Sequence, residues 1–315
     1  MRKNKHGYRV MAVFIAVLLL SACATPYQTR QLRSSPPPGI PLAYEITTTP
    51  FYPQRDYQCG PAALATVINH FELQTSAEEL IPLVYIPELK GSLQIEMVAA
   101  ARQFGMLAIQ QDGRLESLLR EVSEGNPVLV LQNLGLDSYP FWHYAVVIGY
   151  DLDAEEIILR SGEVKRLLRP FTVFERTWQR AGFWSVVVVP PQLMPQTASQ
   201  SEFIRAVLAL EPAGMTPSVL MAYQNGVKRW PQNFILHMGL GNAAYALRRH
   251  ELARQAFSEA ASLMPGRAEA WNNLAYALIK TGQKEQALEA VKQALKLQPN
   301  NAEYLASQIE ILTLQ

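Results

Sequence analysis

Apolar residues along the chain follow three successive patterns. From Val10 to Leu20 they form one unbroken run, VMAVFIAVLLL, behind Arg2, Lys3, Lys5 and Arg9. Between about residues 51 and 191 the pattern is mixed. Helical spacing is present over Pro61–Phe71, after Ser76-Ala77-Glu78-Glu79, and from Leu93 to Phe104. Runs rich in β-branched residues at Pro127–Leu131, Tyr144–Ile148, Ile157–Leu159 and Trp184–Val189 predict strands. Helices ahead of strands, rather than alternating with them, predict an α+β domain. The prolines from Pro190-Pro191 to Pro195 read as a linker, and from about Ser201 the spacing is helical only.

The first run is too short to span a bilayer: eleven helical residues reach about 16 Å against a hydrocarbon core of roughly 30 Å. A basic start, a short apolar core and small residues after it predict an export signal. Its end, Leu20-Ser21-Ala22-Cys23, resembles a bacterial lipobox. That resemblance implies a signal peptide over 1–22, cleavage before Cys23 and a diacylglyceryl group on its thiol; ordinary signal cleavage with an incidental cysteine is the alternative. Ala24, where inner-membrane lipoproteins carry Asp, implies sorting to the outer membrane of the bacterial cell envelope, facing the periplasm. Residues 23–50, with their Pro36-Pro37-Pro38-Gly39 run, predict a lipidated cysteine followed by a flexible tether.

Charge and cysteine content narrow the function. The 28 Lys and Arg residues nearly balance 27 Asp and Glu, and losing Arg2, Lys3, Lys5 and Arg9 from a net +1 leaves the remainder near −3. A nucleic-acid partner, which needs a basic face, is excluded. Two cysteines cannot build a disulfide scaffold or a Cys-rich zinc site, and neither metal nor cofactor is expected. With Cys23 consumed by lipid, Cys59 is the one thiol left.

The C-terminal segment repeats. Proline recurs at 231, 265 and 299, a period of 34. On that period Trp271, Leu274, Ala275, Ala287, Val291, Ala294 and Pro299 occupy fixed positions, and Leu240, Gly241, Ala253, Phe257, Ala260 and Pro265 the equivalent ones, with His237 in place of the Trp. The pattern resembles the tetratricopeptide repeat. It implies an all-α solenoid over 200–315: a degenerate repeat at 200–233, repeats at 234–267 and 268–301, and a capping helix at 302–314. So short an array is expected to lean on the first domain. Its concave groove implies a protein or peptide partner.

Cys59 carries the candidate chemistry. Gly60-Pro61 directly after it predicts a turn into a helix, with Cys59 at the N-terminus. Free amides and the helix dipole there are expected to stabilise a thiolate. The nucleophile also needs a base. His70 lies about three helical turns away, roughly 16 Å, which leaves His143 at the head of the strand His-Tyr-Ala-Val-Val-Ile-Gly-Tyr150.

Gln54-x4-Cys59-Gly-Pro-Ala-Ala-Leu, followed by Trp142-His-Tyr-Ala-Val-Val-Ile-Gly-Tyr-Asp151, resembles the bacteriocin-processing, double-glycine leader peptidases, which are cysteine peptidases of papain-like fold. The likeness covers about residues 50–190, within an expected domain at 51–191. It implies that Cys59 is the nucleophile, His143 its base, and Gln54 an oxyanion donor beside the Cys59 amide; Gln58 is the other amide side chain at hand. The family places an Asp where it orients the imidazole. Pairing Tyr144–Tyr150 with Ile157–Arg160 brings Ser161-Gly162 to that station instead, with Glu163 as a displaced substitute and Asp151 and Asp153 at the far turn. Phe141 and Trp142 read as groove lining or core, and Leu134–Pro140 as a loop near the site.

The sequence thus leads to a membrane-anchored cysteine peptidase acting on a peptide or protein substrate through an acyl-enzyme. The alternatives are a non-catalytic assembly lipoprotein, favoured by Ser161, and a thiol acyltransferase. No phosphate-binding loop or membrane bundle accompanies the domain, so leader cleavage is not implied.

Overall fold

The computed structural model of the chain describes residues 25–54, 58–213 and 216–313. Cys23 and the lipobox lie outside them, as do Arg55, Asp56 and Tyr57. Among the described residues no helix is long and apolar enough to cross a membrane.

A seven-stranded antiparallel sheet organises the first half. Its strands are β1 (Ala43–Glu45), β2 (Leu107–Gln110), β3 (Val128–Asn133), β4 (Trp142–Asp151), β5 (Glu156–Ser161), β6 (Val164–Pro170) and β7 (Ser185–Val189). The order is β2-β7-β3-β4-β5-β6, with β1 paired to the end of β4. Side chains alternate between the faces, as a pleated strand requires. Leu129, Leu131, Tyr144, Val146 and Ile148 face one core; Val128, Val130, Ala145 and Val147 face the other.

The first core is closed by α2 (Cys59–Asn69), α3 (Ala77–Val84) and α4 (Gln94–Gln103), through Leu64, Ile68, Leu80 and Met97. The expected start of α3 is a reciprocal cap: Ser76 Oγ accepts from the Glu79 amide, and the Glu79 carboxylate accepts from the Ser76 amide. The second core is covered by α1 (Tyr27–Ser34), α5 (Leu115–Ser123) and α6 (Phe171–Gln179), through Leu32, Leu118, Phe174 and Trp178. The domain is α+β.

Residues 25–50 are not the flexible tether their composition predicts. Leu32 is buried in the second core, Arg33 pairs with Glu155, and β1 adds to the sheet through Ala43–Asp151, Tyr44–Tyr150 and Glu45–Gly149. Short polar segments with one or two buried residues have little apolar periodicity, and partners more than 100 residues away hold this one down. The strands β2 and β6 also escape the sequence pattern. The first has only four residues, and in the second (VKRLLRP) nearly every side chain is exposed.

The second half is a stack of helices. An irregular pair, α7 (Gln200–Leu210) and α8 (Thr216–Arg229), precedes α9 (Phe234–Ala246) with α10 (His250–Leu263) and α11 (Ala268–Lys280) with α12 (Lys284–Leu297). The last helix, α13 (Ala302–Thr313), buries Tyr304, Ser307 and Ile311. Small residues let the helices close up. A β-carbon on Gly241 would collide with the Phe257 ring, and one on Gly239 with Tyr223. At the repeat's aromatic position, Trp271 Nε1 donates to the Pro265 carbonyl at 2.9 Å. His237 Nε2 lies 2.7 Å from the Pro231 carbonyl, so the imidazole makes the same bond one repeat earlier.

The stack leans on the sheet domain. Phe203 and Val207 of α7 join the second core, and α7 packs on β2. The connection is held in place: Glu121 accepts from the Thr197 amide and hydroxyl, Asn225 donates to the carbonyls of Pro191 and Gln192, and Arg229 donates to those of Pro195 and Gln196.

Candidate active site

Cys59 is the first residue of α2 and half-buried. Gly60 follows because the turn has no room for a side chain: its β-carbon would collide with Ser92, whose carbonyl accepts from the Tyr144 hydroxyl. The loop ending at Ser92 is thereby clamped over the start of α2.

The site is assembled where β5 leaves β4. Their pairing runs from Asp151–Glu156 to Val146–Arg160, so the edge of β4 at Tyr144 is open to other partners. Gln54 Nε2 donates to the Tyr144 carbonyl at 3.3 Å, and the Tyr144 backbone also hydrogen-bonds the Cys59 sulfur. Cys59 and His143 are thus linked through one peptide unit, because Tyr144 directly follows His143. Gln54 ties in the third element. Its Oε1 accepts from the Gly162 amide at 3.0 Å, and its own amide donates to the Gly162 carbonyl at 3.0 Å. An amide side chain has two N–H groups, so Nε2 keeps one beyond its bond to Tyr144.

His143 Nε2 lies 2.8 Å from the hydroxyl of Ser161, the residue the hairpin register brings to the orienting station. Glu163 is exposed on the β5–β6 turn, and Asp151 accepts from the Ala154 amide in the far turn. His70 caps the other end of α2, with Nδ1 at 3.3 Å from Thr49 Oγ1 and Nε2 at 3.0 Å from the Gly125 carbonyl. Gln58 is the cap residue of α2 and makes no side-chain capping bond.

Burial governs the proton states. It pushes the Cys59 thiol above its ordinary range, against hydrogen bonds from the backbone of Tyr144, Gly60 and Cys59 that pull it down. Burial also lowers His143 to about 4. The helix N-terminus therefore does not yield the resting thiolate expected from its amides alone, since desolvation of the sulfur outweighs them. Cys59 and His143 rest as thiol and neutral imidazole, and no hydrogen bond joins them to each other in this structure.

Phe141 and Trp142 are both more than half exposed, so they are rim and not core. The loop before them is ordered by Asn133, whose Oδ1 accepts from the amides of Gly135 and Phe141. Among the described residues no group of three or more His, Cys, Asp or Glu is placed to hold a metal ion.

Residues 46–186 match the Peptidase_C39 like family, and residues 244–308 match a tetratricopeptide repeat family. The chain therefore joins a Peptidase_C39-like domain to a tetratricopeptide repeat region. No curated protein matches it. Among solved structures it is similar to the first TPR of Spaghetti (RPAP3) bound to an HSP90 peptide. That match is 19% identical, covers 36% of this chain and 90% of the other, and has a TM-score of 0.35. MamA 41-end from Desulfovibrio magneticus RS-1 is also 19% identical over 36% of this chain and 64% of that one, with a TM-score of 0.34.

Proposed function

We propose that the chain is a cysteine peptidase carried in the bacterial envelope by a lipid on Cys23, at the outer membrane facing the periplasm. The observation that carries the catalytic reading is the set of bonds on one edge of the sheet. Cys59 rests against the backbone of Tyr144, and the preceding residue, His143, is held by Ser161. As Cys59 Sγ attacks a peptide carbonyl carbon, His143 takes the thiol proton and then gives it to the departing amine. Water, deprotonated by the same imidazole, adds to the thioester and expels the sulfur. The Cys59 amide and the spare Nε2–H of Gln54 support the oxyanion. Ser161 orients the ring. In the repeats, a cavity of about 330 Å³ lined by Asn242, Tyr245, Phe257, Asn273 and Tyr276 serves as a groove for a peptide or protein partner.

The test is a peptidyl vinyl sulfone presented to the full chain in detergent at neutral pH, read by intact mass. The expected result is one adduct, on Cys59, that is lost in His143→Ala. Adduct formation indifferent to His143 would sink the peptidase reading. That outcome favours the second reading, a peptidase fold kept for binding, for which the raised thiol and the uncharged Ser161 speak.

A further inference from the structure

The helix α1 has no cap of its own. Pro26 precedes it, and no side chain of its own segment serves the first amides. Glu175, on α6 and only 2% exposed, supplies the missing acceptor. Its Oε1 accepts from the Gln28 amide at 2.9 Å, and its Oε2 accepts from the amide and the hydroxyl of Thr29, both at 2.6 Å. A carboxylate at a helix N-terminus both satisfies orphan donors and complements the dipole. The Gln28 side chain adds a second clamp. Its Nε2 donates to the Gly113 carbonyl, and its Oε1 accepts from the Leu115 amide. From Gln28 onward the chain is part of the body.

Only five residue steps separate Gln28 from Cys23. Whatever their conformation, they reach at most about 17 Å. The headgroup layer takes roughly 5–7 Å of this on one leaflet. A 27-residue free tether would instead extend to roughly 90 Å.

We infer that the face around the start of α1 and the 112–116 turn sits directly on phospholipid headgroups and fixes the body's orientation on the membrane. The inference rests on the lipid anchor proposed for Cys23. The face is polar and of mixed charge. Arg30, Arg114 and Asp112 are exposed there; the Arg114 guanidinium pairs with Glu116, and Asp112 accepts from the Arg114 amide and the Ser117 hydroxyl. The face thus carries cations and carboxylates together, and it is the short reach from Cys23, set against the depth of the headgroup layer, that brings it onto the lipid.

The experiment uses the full lipidated chain in phosphatidylethanolamine–phosphatidylglycerol vesicles, with Cys59→Ala so that one introduced thiol carries a bimane. Labels replace Arg114 in one variant (Arg114→Cys) and Lys292 of α12 in another (Lys292→Cys). A headgroup spin-labelled lipid is the quencher. Seating predicts loss of most of the emission at position 114 and none at 292. A third variant inserts twenty Gly and Ser residues between Ala24 and Thr25, with a reach of about 25 Å, and is expected to restore the emission at 114. Equal quenching at both sites, or quenching that survives the insertion, overturns the seating while leaving the anchor in place. Intact mass of the same sample reads the anchor separately, and a Cys23 without diacylglycerol overturns both.

Discussion

His143 Nε2 and Ser161 Oγ are 2.8 Å apart, which puts a hydroxyl where an imidazolium would be better served by a carboxylate. A charge-assisted hydrogen bond exceeds a neutral one by roughly 1–1.5 kcal/mol. Ser161→Asp is therefore expected to speed adduct formation at Cys59 about tenfold, and Ser161→Ala to slow it. The rate of adduct appearance by mass spectrometry decides it; equal rates in all three proteins would mean Ser161 does not orient the ring.

Stability should fall in mild acid. His143 titrates at about 4 in the folded chain, below its ordinary 6.5, because burial disfavours its charge, and burial lowers His70 as well. Between these values the unfolded chain binds more protons, so stability is full above pH 6.5 and is lost as pH falls towards 4. The His143 contribution is up to about 3 kcal/mol. Urea unfolding at pH 7 and pH 4 measures the loss, and His143→Gln should make it smaller.

Small-molecule alkylation reads the thiol directly. Because burial raises Cys59, iodoacetamide labelling should climb only at a pH above that of an ordinary exposed thiol. A midpoint below pH 8 would mean a resting thiolate and contradict the neutral pair described above.

Removing the buried carboxylate should free the N-terminal strap. Glu175→Ala leaves the Gln28 and Thr29 amides and the Thr29 hydroxyl without their acceptor, at a cost of about 3 kcal/mol. Trypsin is then expected to cut after Arg30 and Arg33 under conditions where the parent protein is resistant. Unchanged cleavage and melting temperature would show that the strap is held elsewhere.

In the repeats, Gly241→Ala places a methyl group against the Phe257 ring. Overpacking of this kind costs about 1–3 kcal/mol. Denaturation followed at Trp271 should report the drop.

Much of this protein was legible in local pattern. The Gly60-Pro61 pair marks the start of the helix that carries Cys59, and the 34-residue spacing of proline marks the helix pairs. The alternation around Tyr144–Tyr150 suffices to bring Ser161 beside His143. These depend on neighbours in sequence or on one hairpin. The Asp151–Glu156 register observed is the one that alternation requires, despite a bulge between Val147 and Gly149. The strap is the opposite case, since nothing near Thr29 in sequence announces that Glu175 will accept its protons.

What the sequence determined by itself is therefore the identity and order of the parts: a Cys-bearing helix start, a His-bearing strand, a serine at the third station and a helical array behind them. Tertiary structure decided their state. Desolvation depends on everything packed around a group, so it is the assembled body that leaves Cys59 protonated and His143 neutral. For the same reason a segment of polar composition became a bound strap. Its few buried contacts are long-range, and only the folded body brings Glu175 and Gly113 to meet it.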